Sequence, residues 1–177
     1  MSDRSDLSVG DSQGYIDALL EYLGDREPLE VFGSTETALQ DAVENIDDSA
    51  LRTPEAPGKW CIMEVVKHLV DAEITLGFRY RKALGEDGPE IPAIEQDGWV
   101  TNMNHRDADL AETLDDFGAL RNVNLRLLRV LTPEQLQRHG MHNQRGKETV
   151  ADMMRLYAAH DLYHLFQIGR IRAAVET

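Results

Sequence analysis

Apolar residues along this chain recur at intervals of three and four, the spacing that lines one face of an α-helix. The first such stretch is YIDALLEYL, with Ile16, Leu19, Leu20 and Leu23 on one face and Gly24 closing it. Pro28 suits the first turn of a second piece, with Asp25 before it as cap. STETALQDAVENI predicts a third piece, capped by Ser34 or Thr35, with Leu39, Val43 and Ile46 sharing a face. The pieces are expected to stack end to end as one interrupted bundle helix.

Residues 47–60, DDSALRTPEAPGKW, hold two prolines and a glycine and predict a loop. The next stretch, CIMEVVKHLVDAEITLGFRYRKAL, has no proline, and Ile62, Val65, Leu69, Ala72 and Leu76 form its apolar stripe. GEDGPEIPAIEQDGWVTNMNHRDAD then shows no clear period. A connection of that length is uncommon in compact domains and often carries function. LAETLDDFGALRNVNLRLLRVL predicts the third long helix, and TPEQLQ a short one with Thr132 as cap and Gln135 completing a capping box. RHGMHNQRGK reads as a loop, and the last helix is expected from about Glu148 to Val175. No segment reads as a strand. The prediction is an all-α protein: a four-helix bundle with a long crossover between helices 2 and 3. Residues 1–11 read as a loose polar tail and 12–177 as a single domain.

Composition narrows the function classes. Acidic residues outnumber basic ones 32 to 18, for a net charge of −14, and no basic patch interrupts them. Such a chain repels nucleic acid and anionic membranes, so neither is expected as a partner. One cysteine, Cys61, excludes an internal disulfide and a cysteine-rich zinc site. Cys61 stands at a helix start, where a thiol pKa can fall, but no histidine is evident nearby and it reads as a buried, inert residue. The polar N-terminus lacks the apolar run of a signal peptide, and no run approaches the ~20 residues of a membrane span. A soluble, cytoplasmic protein is expected.

The candidate chemistry lies in histidines. On the last helix Met153, Tyr157, His160, His164, Gln167 and Ile171 recur at alternating steps of four and three, so HDLYH turns both imidazoles inward. His68 shares a face with Val65, Ala72 and Leu76 on the second long helix. Three inward imidazoles each need a polar partner, because an unsatisfied buried polar group costs ~1–3 kcal/mol. One shared metal ion satisfies a nitrogen on every ring, whereas a lone inward histidine is ordinarily a hydrogen-bonded core residue. His105, His139 and His142 fall in loops and are assigned solvated surface roles, with His142 near enough to the last helix to face a pocket. Asp161 occupies the slot that glutamate fills in H-E-x-x-H metalloproteases, one methylene short of the same task. Glu64 and Asp71 lie one turn either side of His68 and are placed to hold an imidazole from behind or to be ordinary helix charges.

GKWCIMEVVKHLVDAE and RHGMHNQRGKETVADMMRLYAAHDLYHLFQIGRIR resemble the tryptophan-to-histidine helix start and the final H-x-x-x-H helix of the DinB/YfiT-like metalloenzyme family. IPAIEQDGWV and LRNVNLRLLRVL fit the pattern between them, so the likeness spans roughly residues 14–173. It implies an up-down-down-up bundle, and a three-histidine metal site formed by His68, His160 and His164. It implies nickel or zinc as the divalent ion, with iron and manganese as further candidates, and a homodimer. It also implies a metal-dependent enzyme acting on a small-molecule substrate, resembling transferases that use a low-molecular-weight thiol. Three neutral nitrogen ligands leave coordination positions open, which suits catalysis. A hydrolase activating water, and a non-catalytic stress-related protein that only binds metal, are the alternatives.

Overall fold

Helix α1 (Ser12–Leu23) stops at Gly24, whose φ of +56° is the left-handed closure that a residue without Cβ adopts freely. Pro28 opens α2 (Pro28–Val43) at its first position, where the missing N–H leaves no bond unmade. The residue before it at the cap is Glu27, not Asp25, and no side chain caps it. Ser34 and Thr35 are not caps either. Both lie inside α2, which runs unbroken, and their hydroxyls reach back to the Val31 carbonyl at 3.0 and 2.8 Å. The structure is a computed structural model describing residues 12–176; the tail expected over 1–11 lies outside them.

A single turn, α3 (Asp48–Leu51), interrupts the expected loop before α4 (Ile62–Gly85). The crossover after α4 holds strand β1 (Glu90–Ile91), α5 (Gln96–Asn102) and a 3₁₀ turn over His105–Asp107. Then come α6 (Leu110–Leu128), the short α7 (Pro133–Leu136) with its Thr132–Gln135 capping box, strands β2 (His139–His142) and β3 (Gly146–Thr149), and α8 (Val150–Val175). The three strands are a correction to the purely helical expectation. They form one small sheet, β1 parallel to β2 and β2 antiparallel to β3. Strands of two to four residues are too short to show an alternating pattern. Gly140 permits the β1–β2 approach, since a Cβ there would press into the Ile91 side chain and sit 3.2 Å from the Pro89 carbonyl oxygen.

Side-chain pairings fix the helix directions. Lys67 meets Asp116 at 3.6 Å, Glu73 meets Arg121 at 2.8 Å, and Gly77 packs on Asn124, so α4 and α6 run parallel. His68 meets His164 and Arg79 meets Tyr157, so α4 and α8 are antiparallel. Thr35 meets Asp161 and the Ala42 carbonyl meets Arg172, so α2 and α8 are parallel. The bundle is therefore up-down-down-up, and the long crossover is what returns the chain between its two parallel members. No helix among the described residues is long and apolar enough to cross a membrane.

Two apolar clusters fill the interior. Phe32, Leu76, Tyr80, Leu125 and Met153 belong to one; Leu39, Val65, Leu69, Phe117 and Ile168 belong to the other. A polar belt crosses all four helices between them. At its centre the buried Arg121 donates to Glu73 Oε1 at 2.8 Å and to the Phe32 carbonyl at 3.1 Å, and lies 2.8 Å from Asp161 Oδ2. Phe32 and Phe117 sandwich its guanidinium at 4.9 and 4.8 Å from their ring centres. Asn124 donates to Glu73 Oε2 and Thr35 to Asp161 Oδ2. Arg121→Met leaves two carboxylates facing each other in the interior and is expected to cost about 3–5 kcal/mol, read by urea unfolding at pH 7. A loss below about 1 kcal/mol, the worth of a surface pair, would contradict this account of the belt.

Candidate metal centre

The three predicted histidines meet beside the polar belt, where His160 adjoins Asp161. His68 projects from α4, and His160 and His164 from successive turns of α8. The Nε2 atoms of His68 and His160 are 3.2 Å apart, and those of His160 and His164 are 3.0 Å apart. All three rings are buried, and one ligand atom from each lies within 4.8 Å of the others. Burial holds all three well on the neutral side: His164 is pushed down to about 4, and His68 and His160 are likewise pushed well below the usual imidazole range, those two also by their histidine neighbours.

This donor set fits a divalent ion. With metal–nitrogen bonds of 2.0–2.1 Å, adjacent ligands of a tetrahedron lie ~3.3 Å apart, close to the separations seen. Buried neutral imidazoles present lone pairs, the form that binds metal. His164 Nδ1 lies 2.7 Å from Gln167 Oε1, which can only accept, so the ring carries its proton on Nδ1 and leaves Nε2 bare. Trp60 lies nearly parallel to His164 at 6.5 Å between ring centres and 5.0 Å from His68, while Tyr163 sits edge-on to His164 at 5.1 Å. These rings leave the imidazoles little room to turn. Gln167 is the supporting residue that periodicity placed on the right stripe without a role.

Other expectations need correction. The polar partners of Glu64 and Asp71 lie away from His68. Glu64 accepts the Cys61 N–H at 2.8 Å, capping α4, and pairs with Arg106 at 3.1 Å. Asp71 lies 3.1 Å from His105. His105, in the crossover's 3₁₀ turn, is thus buried against α4 rather than solvated, and His142, in strand β2 of the hairpin, is buried as well. Loop position gave no sign of the cover over His105, whereas the place of His142 just before the last helix did mark it as able to face a pocket, and it lines one. His139 is half-buried at the start of β2. Asp161 turns away from the imidazoles into the Arg121 belt, because successive helix residues point ~100° apart. It therefore does not stand in for the glutamate of H-E-x-x-H. Cys61 is buried, and burial pushes its thiol pKa up, as an inert cysteine requires.

A cleft opens beside the histidines, with about 770 Å³ of space free of atoms, its open mouth included. His68 and His160 line it from the bundle, Thr75 and Arg79 from farther along α4, and His142 from the hairpin. Periodicity contained a signal for the α4 pair: Thr75 and Arg79 stand seven and eleven residues beyond His68, positions that return to the same helix face. The sheet joins crossover to hairpin, setting Ile91 opposite His142 and so placing that histidine over the cleft.

With this geometry in hand, the likeness to known proteins becomes specific. A relative from Bacillus subtilis named "Putative metal-dependent hydrolase YfiT" is 30% identical over 145 residues, 81% of each chain. A relative from Oceanobacillus iheyensis, also named "Putative metal-dependent hydrolase", is 29% identical over 134 residues, covering 73% of this chain and 75% of its own. The solved structure of the Bacillus subtilis protein, described as "a probable metal-dependent hydrolase with an unusual four-helix bundle topology", superposes with a TM-score of 0.73 at 25% identity, covering 96% of this chain and 92% of the other. The sequence profile of the DinB superfamily matches residues 32–168, and the chain belongs to that superfamily.

Proposed function

We propose that this protein is a metal-dependent enzyme in which His68, His160 and His164 hold one divalent ion that activates a small nucleophile for attack on a substrate in the cleft. The observation that carries the reading is the trio of buried Nε2 atoms, spaced for a single ion beside an open cleft. Bound there, the ion supplies a Lewis acid that lowers the pKa of water or of a thiol toward neutrality. The chain contributes the rest. Gln167 holds the proton of His164 on Nδ1, Trp60 and Tyr163 fix ring orientation, and burial keeps the imidazoles neutral.

The relatives' names support water as the nucleophile, and the resemblance noted in the sequence supports a low-molecular-weight thiol. Nickel and zinc lead as the ion on the resemblance noted in the sequence; imidazole accepts iron as readily, so the ligand type does not choose among them. Protein loaded with either metal and assayed on ester, amide and electrophile panels, with and without small thiols, separates the two. Turnover without thiol assigns a hydrolase, and turnover that requires thiol assigns a transferase. Absence of any metal-dependent turnover would contradict the enzyme reading.

His164→Ala leaves two ligands on separate helices and is expected to lose most bound metal, measured by elemental analysis of protein purified without a polyhistidine tag. His139→Ala, away from the trio, is expected to keep it. Unchanged metal in the His164 variant would overturn the ligand set.

Acid gives a further check on chelator-treated protein. An unfolded histidine takes up its proton near pH 6.5, whereas folded His164 does so only near pH 4, and burial holds His68 and His160 well below the usual imidazole range as well. Between those values the unfolded state binds more protons, so stability should fall as pH drops below about 6.5, by up to about three protons' worth of slope. Asp161, raised to about 6 by burial, and Asp71, also raised by burial, work the opposite way, but burial lowers His105 and His142 too, so two acids stand against five imidazoles. Urea unfolding at pH 7.5, 6.5 and 5.5 measures the trend; stability flat or rising on acidification would contradict neutral, buried imidazoles.

A further inference from the structure

The cleft beside the three imidazoles contains a buried cation whose described partners are both neutral. Arg79 is only 3% exposed. It donates to the Tyr157 hydroxyl and, at 2.9 Å, to the Pro92 carbonyl oxygen. Arg121, as deeply buried, holds two carboxylates. Buried guanidinium groups are ordinarily paired with acids, and this chain has acids in excess, so the missing counter-charge at Arg79 calls for a partner from outside.

Two further donors line the same cleft. His142 Nδ1 lies 3.2 and 3.3 Å from the backbone nitrogens of Gln144 and Arg145. A backbone N–H can only donate, so Nδ1 is the acceptor and the proton sits on Nε2. That Nε2–H is buried and has no partner among the described residues, and the same is true of the Thr75 hydroxyl. Each orphaned group costs ~1–3 kcal/mol unless something accepts from it. One cation and two unfilled donors make a site for an oxyanion.

Its position relates it to the metal centre. The helical rise puts Thr75 and Arg79 ~10 and ~16 Å along α4 from His68, and helical side chains lean back toward the N-terminus, here toward His68. Between the two ends, Leu19, Ala72 and Leu156 supply apolar wall. We propose that the substrate is a small molecule with an apolar body and an oxyanion end, a carboxylate or phosphate, seated on Arg79, His142 Nε2–H and the Thr75 hydroxyl. The net charge of −14 opposes anion approach from a distance, but inside a low-dielectric cleft the adjacent guanidinium outweighs screened surface charge. Its catalytic meaning rests on the metal-dependent reading above, while occupancy of the seat needs no metal.

Calorimetric titration of the metal-free full chain at pH 7.5 with hexanoate, its uncharged counterpart hexanamide, and inorganic phosphate tests this. Hexanoate is expected to bind at least tenfold tighter than hexanamide. Arg79→Gln and His142→Leu are each expected to weaken hexanoate at least tenfold and to leave hexanamide within twofold. Phosphate displacing hexanoate supports the seat and assigns it a phosphate end; hexanoate binding that phosphate does not displace supports a carboxylate end. If circular dichroism shows that either variant is unfolded, the near-isosteric Thr75→Val carries the test, with hexanoate expected about fivefold weaker. Equal binding of hexanoate and hexanamide, or folded variants that bind hexanoate like the parent, would overturn the proposal. Metal content measured on the same preparations reports separately on the histidine centre, so either reading can fail without the other.

Discussion

A guanidinium buried among helices has to be surrounded by acceptors, and the arrangement of this bundle follows from meeting that need at Arg121. Its acceptors come from Phe32 on α2, Glu73 on α4 and Asp161 on α8, so one side chain on α6 ties all four bundle helices at the same level. Leaving such a charge unpaired costs several kcal/mol, which penalises any slip of one helix against another. The consequence for the site is rotational. With Asp161 drawn toward Arg121, its neighbour His160 must face elsewhere, and His164, one turn on, must follow it. Both then meet His68, which lies five residues before Glu73 on α4, about one and a half turns away.

The belt also divides the apolar core into two clusters, which meet the histidines through Trp60, Tyr157 and Tyr163. Burial there is set by the stripes of all four helices, so the bundle has a reason to fold before any ion arrives. Loading then acts on a prepared site. Desolvation favours the neutral imidazoles that a metal requires, and Gln167 has already selected the tautomer of His164. The small sheet completes the enclosure by pinning the crossover to the hairpin, and with it the buried His142.

Much of this was legible in the chain itself. Period-3.6 stripes located the long helices, and the same stripes turned His68, His160 and His164 inward. What was not legible depends on contacts distant in sequence. The role of Asp161 required Arg121, forty residues earlier, and local motif logic instead placed it in a protease slot. Asp71 reads as a support for His68 by spacing, yet the 3₁₀ turn brings His105 to it. Solvated roles for His105 and His142 assumed that loops are wet, whereas the crossover and hairpin fold back over the bundle and bury both. The strands, two to four residues long, are made by pairing rather than by pattern.

X-ray absorption on zinc-loaded protein tests the central claim most directly, since it reads the ligand shell without requiring a substrate. The account predicts about one zinc per chain with three imidazole nitrogens at ~2.0–2.1 Å and a remaining light-atom position that exchanges with solvent or added thiol. Fewer than three imidazoles, a sulfur ligand from Cys61, or a fourth protein ligand closing the shell would contradict it.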